Sequence, residues 1–319
     1  MKEEAISILK KYHQEHILEY NLSEKQQQEL EKQILSIDFE QLQNLYESTK
    51  QEKVIEEKKI EHIPYTDKAK MSKEQEQELA NIGTDIIKQG RYAVITMAGG
   101  QGTRLGHKGP KGTYALDTVN GKKYIFEIII DRLKKAKEEY GVTIPWYVMT
   151  SKDNHNETVC FLENNNYFGY EKDKVRFFKQ GELPLIDTQG RVILDENVRI
   201  KEAADGNGGI YEAFAKSGLL DELKQKQTDW IFVSGIDNIL SNFVDPILLG
   251  LTIKENNVIA SKSVAKANPQ EKVGVFCKMN GKPKIIEYID LPEEMAEELD
   301  ENGELMYGEV NIGTYLYNR

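Results

Sequence analysis

Six apolar or β-branched residues run unbroken from Tyr92 to Met97, the pattern of a strand buried on both faces. Comparable runs at 146–150, 175–180 and 230–235 predict three more buried strands. Helical spacing fills the intervals. Leu79, Ile82 and Ile86 share one face of a helix that Ser72 and Gln75 open as a capping box and Gly90 stops. Phe126, Ile129, Ile130 and Leu133 line a helix over 124–140 that ends at Gly141, and further helices are predicted over 154–164 and 210–216. Strand and helix alternate, so the fold class is α/β: a doubly wound, mostly parallel sheet with helices on both faces.

The first 62 residues read differently. They contain no glycine or proline and are rich in Gln, Glu and Lys. Ile6, Leu9, His13 and Ile17 fall on one helical face, and new helices begin near 24 (Ser23 with Gln26) and 39 (Asp38 with Gln41). A charged connection broken by Pro64 follows over 50–71. The expected division is an N-terminal helical subdomain and connection, 1–71, then an α/β domain, 72–319. A helical arm for a partner is the other reading of the first segment. Towards the other end, Asn280-Gly281 predicts a hairpin over 273–288, an acidic helix starts near Pro292, and the last residues form a β-like run.

Composition narrows the function. The 319 residues are 39% hydrophobic, enough for a core, and carry a formal net charge of -11, which disfavours a nucleic-acid partner. No apolar run approaches the roughly 18 residues of a membrane helix, and the charged N-terminus lacks a signal-peptide core. Cys160 and Cys277 show no metal-ligand spacing, and His13 with His16 lack a third ligand. Reduced thiols in a cytoplasmic protein are the expectation.

The stretch after the first strand carries candidate chemistry. Ala98-Gly99-Gly100-Gln101-Gly102-Thr103-Arg104-Leu105-Gly106 is a glycine-rich turn followed by Lys108 and Lys111. Glycines let backbone N–H groups approach a ligand, successive N–H groups make an anion-binding concavity, and Arg and Lys add charge. The loop matches neither GxxxxGK[ST] nor GxGxxG, so neither familiar phosphate motif applies. A plain turn with solvated cations is the alternative. Gln180 stands at another strand end, where its amide suits a base edge or simply a turn. Gly206, Gly208 and Gly209 precede a helix, a second ligand site or a tight turn. Asp237 lies just past the strand 230–235, placed for a hard cation or for capping a helix.

These residues resemble a known family. AGGQGTRLG followed by Pro110-Lys111-Gly112 looks like the signature of the UDP-sugar pyrophosphorylases, especially the UDP-N-acetylglucosamine pyrophosphorylase branch. The resemblance recurs in order along the chain, through WYVMTS (146–151), VRFFKQGELP (175–184), ADGNGGIYEAF (204–214), DNIL (237–240), EKVGVFC (271–277) and IIEY (285–288). It covers roughly residue 90 onwards.

The resemblance implies a UTP-dependent uridylyltransferase that makes UDP-sugar and pyrophosphate from a hexose 1-phosphate, here N-acetylglucosamine 1-phosphate. It implies Arg104 and Lys111 as catalytic. It assigns Ala98, Gly99, Gly100, Gly102, Thr103, Gln180 and Gly206 to the nucleotide, and Asn207, Glu287 and Asn311 to the sugar. Asp237 would hold Mg²⁺. For Glu287, an exposed hairpin position is the competing reading. The segment 308–315 departs from the branch: Gly313-Thr314-Tyr315 stands where an Asn-His pair is usual. Glucose or galactose as the sugar, or a non-catalytic nucleotide-sugar-binding homologue, are the alternatives. The resemblance also implies a further C-terminal segment, beyond Arg319, with another phosphate-gripping lysine.

Overall fold

The computed structural model describes residues 1–50, 59–119 and 121–319. These fall into two compact units: a smaller one of residues 1–50 with 181–209, and a larger one of 59–180 with 210–319. The division differs from a boundary at 71/72. Residues 59–71 go with the larger unit, because Ile60 and Glu61 pair with a strand there. Part of the expected 50–71 connection lies outside the described residues.

In the smaller unit, helices α1 (Glu3–Lys11), α2 (Glu24–Ser36) and α3 (Phe39–Lys50) bury Ala5, Leu9, Leu30, Ile34, Phe39 and Leu42. Ser23 and Gln26 form the expected capping box, and Asp38 accepts from the Gln41 N–H at 2.9 Å. The long face expected through Ile17 is broken. The first helix stops at Lys11 and His13 is left-handed (φ 57°) and exposed. Ile17 still reaches the core, from a separate 3-10 turn. Gln14 holds the kink: buried, it donates to the carbonyls of Tyr12 and Gly190 and accepts from the Val192 N–H. The returning segment 181–209 contributes Val192 and Ile200 to the same core. It makes two matching turns, Asp187 to Arg191 and Asp195 to Arg199. In each, the Asp accepts from two backbone N–H groups and from the Arg guanidinium.

The larger unit is built on a sheet whose nine strands, among the described residues, are β1 (Ile60–Glu61), β2 (Tyr92–Met97), β3 (Trp146–Thr150), β4 (Val175–Lys179), β5 (Trp230–Gly235), β6 (Ile259–Ala265), β7 (Val275–Met279), β8 (Lys282–Ile286) and β9 (Glu309–Asn318). Strands β5, β2, β3 and β4 are adjacent and parallel, the centre expected of an α/β fold. Antiparallel β9 extends this centre beside β5, and β7 and β6 pair with it. The β7–β8 hairpin turns at Asn280-Gly281, both with positive φ.

The parallel strands send alternate residues to two cores. Tyr92, Val94, Trp146, Val148, Trp230 and Phe232 join one, with residues of the helices α4 (Lys73–Lys88), α5 (Ile125–Tyr140) and α6 (His155–Asn164). Ala93, Ile95, Tyr147, Met149, Ile231 and Val233 join the other, with α7 (Ile210–Lys216) and α8 (Leu219–Gln225). This is the doubly wound arrangement. Helix α4 starts with the Ser72–Gln75 capping box and buries Leu79, Gly83 and Ile87, with Ile82 and Ile86 half-buried. It crosses α9 (Pro246–Lys254) backbone to backbone: a Cβ on Gly83 would strike Pro246, and one on Gly250 would strike Leu79. No helix of the described residues is long and apolar enough to cross a membrane.

Candidate active site

Strand β2 delivers the glycine-rich loop to the carboxyl end of the parallel sheet, where ligands bind in open α/β folds. The Ala98 N–H donates to the Met149 carbonyl at 2.7 Å, so the loop starts level with the end of β3. Gln180 is held at the same edge, its N–H donating to the Thr150 carbonyl at 2.8 Å. The Gln180 side chain lies over Gly99, and a Cβ at Gly99 would collide with Oε1. Gly99 is therefore a glycine for close approach, and the expected base reader sits on the expected nucleotide loop.

The rest of the loop folds back on itself. The Gly102 N–H donates to the Gly109 carbonyl and the Lys111 N–H to the Gly100 carbonyl, at 2.8 and 3.1 Å. A Cβ on Gly102 would lie 2.8 Å from the His107 ring, whose Nε2 is 2.7 Å from Thr113 Oγ1. Thr103 and Arg104 occupy a short 3-10 turn closed by left-handed Gly106, and both are exposed. Gly112 lies so close to the Phe126 ring that a Cβ would not fit, which fixes Lys111 beside it.

Lys111 and Asp237 meet. Lys111 Nζ is 2.7 Å from Oδ1 and 2.8 Å from Oδ2 of Asp237. The Ile236 N–H donates to the Met97 carbonyl at 3.0 Å, which aligns the exit of β5 with that of β2. The helix-cap reading of Asp237 fails, because no helix follows it before Pro246. Its side chain is 67% exposed while that of Lys111 is 17% exposed. Among the described residues, no group of three or more His, Cys, Asp or Glu is placed to hold a metal. One exposed carboxylate beside a basic, glycine-rich loop fits a Mg²⁺ that arrives with phosphates, not a resident ion in a protein cage.

Glu287 and Asn311 come together around Gly274. Glu287 Oε1 lies 3.0 Å from where a Gly274 Cβ would stand, and the Asn311 N–H donates to the Gly274 carbonyl at 2.9 Å. Asn311 Oδ1 accepts from the Gly313 N–H at 3.0 Å and the Tyr315 hydroxyl at 3.1 Å. With both of those donors on Oδ1, the amide NH₂ is the group left to donate. Gly206 and Asn207 belong to the smaller unit. Gly206 is left-handed (φ 84°), and Asn207 opens a 3-10 turn whose Gly209 packs on the Asp205 carboxylate.

Sequence reasoning missed three supporting residues: His107 under Gly102, Tyr315 on Asn311, and Asn154. Asn154 is fully buried and donates to the carbonyl of Ala98. Its one sequence signal is the Ser151-x-x-Asn154 spacing ahead of a helix, which reads as an ordinary cap.

The sequence profile described as UTP–glucose-1-phosphate uridylyltransferase matches residues 37–311. The UDP-N-acetylglucosamine pyrophosphorylase of Saccharomyces cerevisiae is 36% identical over 246 residues, covering 76% of this chain and 51% of the yeast protein. The UDP-N-acetylglucosamine diphosphorylase 2 of Arabidopsis thaliana is 36% identical over 260 residues, 77% of this chain and 52% of that protein. The crystal structure of the Trypanosoma brucei uridine diphosphate N-acetylglucosamine pyrophosphorylase superposes with a TM-score of 0.81 at 30% identity, covering 100% of this chain and 67% of that one. The chain thus spans about half the length of the curated relatives it matches. It belongs to the UTP–glucose-1-phosphate uridylyltransferase family, in the branch of the UDP-N-acetylglucosamine pyrophosphorylases.

Proposed function

We propose that this chain is the uridylyl-transfer part of a UTP-dependent sugar-1-phosphate uridylyltransferase acting on N-acetylglucosamine 1-phosphate. The observation that carries the reading is the convergence of Gly99 under Gln180 and Lys111 on Asp237 at the carboxyl ends of β2, β4 and β5. The names of the relatives supply the substrates.

In the reaction, a phosphate oxygen of the sugar 1-phosphate attacks the α-phosphorus of UTP. The bond to the β-phosphate oxygen breaks and pyrophosphate leaves. No general base is needed, because the sugar phosphate is already ionised at neutral pH. Catalysis is then positioning plus neutralisation of phosphate charge. Lys111 and Arg104 neutralise the triphosphate and the departing pyrophosphate. Ala98, Gly99, Gly100, Gly102 and Thr103 present backbone to the nucleotide, and Gln180 reads the uracil edge. Glu287 accepts from a sugar hydroxyl and the Asn311 amide donates to a sugar oxygen. Asp237 would hold Mg²⁺, which when bound screens phosphate charge. Free Cys160 and Cys277 support a reducing compartment, the cytoplasm.

The departure at Gly313-Thr314-Tyr315 favours keeping a second sugar, glucose 1-phosphate, in the test. Pyrophosphate release is measured with UTP, Mg²⁺ and each sugar 1-phosphate. Faster release with the N-acetyl sugar is the expected result. Preference for glucose 1-phosphate would transfer the assignment to that sugar. UDP-sugar binding without release from either would leave a non-catalytic binding homologue.

A further inference from the structure

Asn154 has no part in the chemistry above, yet its fully buried side chain stands behind the glycine-rich loop. Its Nδ2 donates to the Ala98 carbonyl at 3.0 Å and lies 3.4 Å from the Gly100 carbonyl. Its Oδ1 accepts from the Ser151 N–H at 2.9 Å, and its own N–H donates to Ser151 Oγ at 3.2 Å. The amide is thus oriented from both ends, with its donor side to the loop and its acceptor side to the exit of β3.

Peptide geometry turns these contacts into a direction. The structure contains no cis peptide bond, and in a trans peptide the C=O and the following N–H point opposite ways. With the Ala98 carbonyl drawn to Asn154, the Gly99 N–H points away from it. The Gly100 carbonyl faces Asn154 Nδ2 and accepts from the Lys111 N–H at 3.1 Å, so the Gln101 N–H also points away. Among the described residues neither N–H has a protein acceptor. Two outward N–H groups flanking Gly100 are the elements of an anion-binding concavity.

We propose that Asn154 is a positioning residue that sets the outward direction of the Gly99 and Gln101 N–H groups towards a nucleoside triphosphate. The proposal rests on the uridylyl-transfer reading. Asp is the sharpest replacement, because it keeps shape and the Ser151 contact but turns an acceptor on two carbonyls. The loop carbonyls must then rotate, and the N–H groups with them.

The experiment is calorimetric UTP binding to wild type and Asn154→Asp, with steady-state kinetics in both substrates. The expected result is UTP affinity weakened on the order of tenfold, the value of one or two hydrogen bonds. The KM for the sugar 1-phosphate should stay within about twofold, a split that general loosening of the fold would not give. Asn154→Ser, too short to reach the Ala98 carbonyl, is read by the same criterion if the Asp variant does not fold. UTP affinity within about twofold of wild type, or equal losses on both substrates, would overturn the positioning role alone. Absence of UTP binding by the wild-type protein would overturn both it and the transfer reading.

Discussion

The ammonium of Lys111 bridges both carboxylate oxygens of Asp237, at 2.7 and 2.8 Å, across 126 residues of sequence. Phosphate and Mg²⁺ would each engage one partner of this pair, so each side chain is a separate lever. Lys111→Ala should lower kcat on the order of a hundredfold, the scale for loss of one preorganised electrostatic contact. Near-normal turnover would remove Lys111 from the catalytic assignment.

Asp237→Asn keeps size and hydrogen bonding but removes the charge that suits a hard cation. The Mg²⁺ concentration for half-maximal activity should rise on the order of tenfold, and EDTA should abolish wild-type activity. An unchanged Mg²⁺ titration would exclude Asp237 as the ligand.

Gly99 and Gln180 should behave as one unit. Gly99→Ala puts a methyl into the space of Gln180 Oε1, so the amide must leave the loop. We expect the KM for UTP to rise on the order of tenfold in Gly99→Ala and in Gln180→Ala. The double variant should be little worse than either, the non-additivity of residues in contact. Additive losses would show that Gly99 acts without Gln180.

The paired turns of the smaller unit offer a stability test. Gly190 (φ 81°) and Val198 (φ 58°) precede Arg191 and Arg199 in matching positions. A left-handed conformation costs an L-residue about 1–2 kcal/mol, while glycine costs roughly 0.5–1 kcal/mol in chain entropy. Val198→Gly should therefore leave Tm unchanged or raise it by a few degrees. Gly190→Val adds a collision with the Tyr46 ring and should lower it. Thermal melts of both variants decide the point; equal effects would remove backbone strain as the cause.

Acid sensitivity should centre on Asp245. Burial alone would raise its pKa, but Lys262 at 2.5 Å and the N–H groups of Ile247 and Leu248, which it caps, hold it below the ordinary carboxylate value. A depressed folded-state pKa gives stability that is present above the unfolded value, about 4, and lost as pH falls through the folded value. Asp245→Asn should lower Tm at pH 7 and flatten its decline below pH 4. Parallel curves for variant and wild type would assign the acid limb elsewhere.

The parallel centre and the helix starts were legible because their signals are local. Tyr92 to Met97 declares a strand in six residues, and Ser72–Gln75 declares a helix start in four. Strand β6 was not legible: Ile259-Ala260-Ser261-Lys262-Ser263 mixes polar and apolar residues, and its pairing with β9 shifts register between Ser261 and Ser263. The return of 181–209 to the first helices was hidden too, since Gln14 and Val192 meet only in three dimensions. In the site, loop chemistry showed at once, whereas Asn154 looked like any polar residue before a helix. A buried amide shows its partners only when the backbone is folded around it.

The two-sided burial of β2 has a bearing on redesign. Any replacement at Tyr92 or Val94 disturbs one core, and any at Ala93 or Ile95 disturbs the other, so no position within the strand is neutral ground. The exposed side chains of Gln101 and Thr103, past its end, carry no such obligation, since the contact proposed for both is through the backbone. A library aimed at new nucleotide preferences has its room to vary there, on a foundation it should leave untouched.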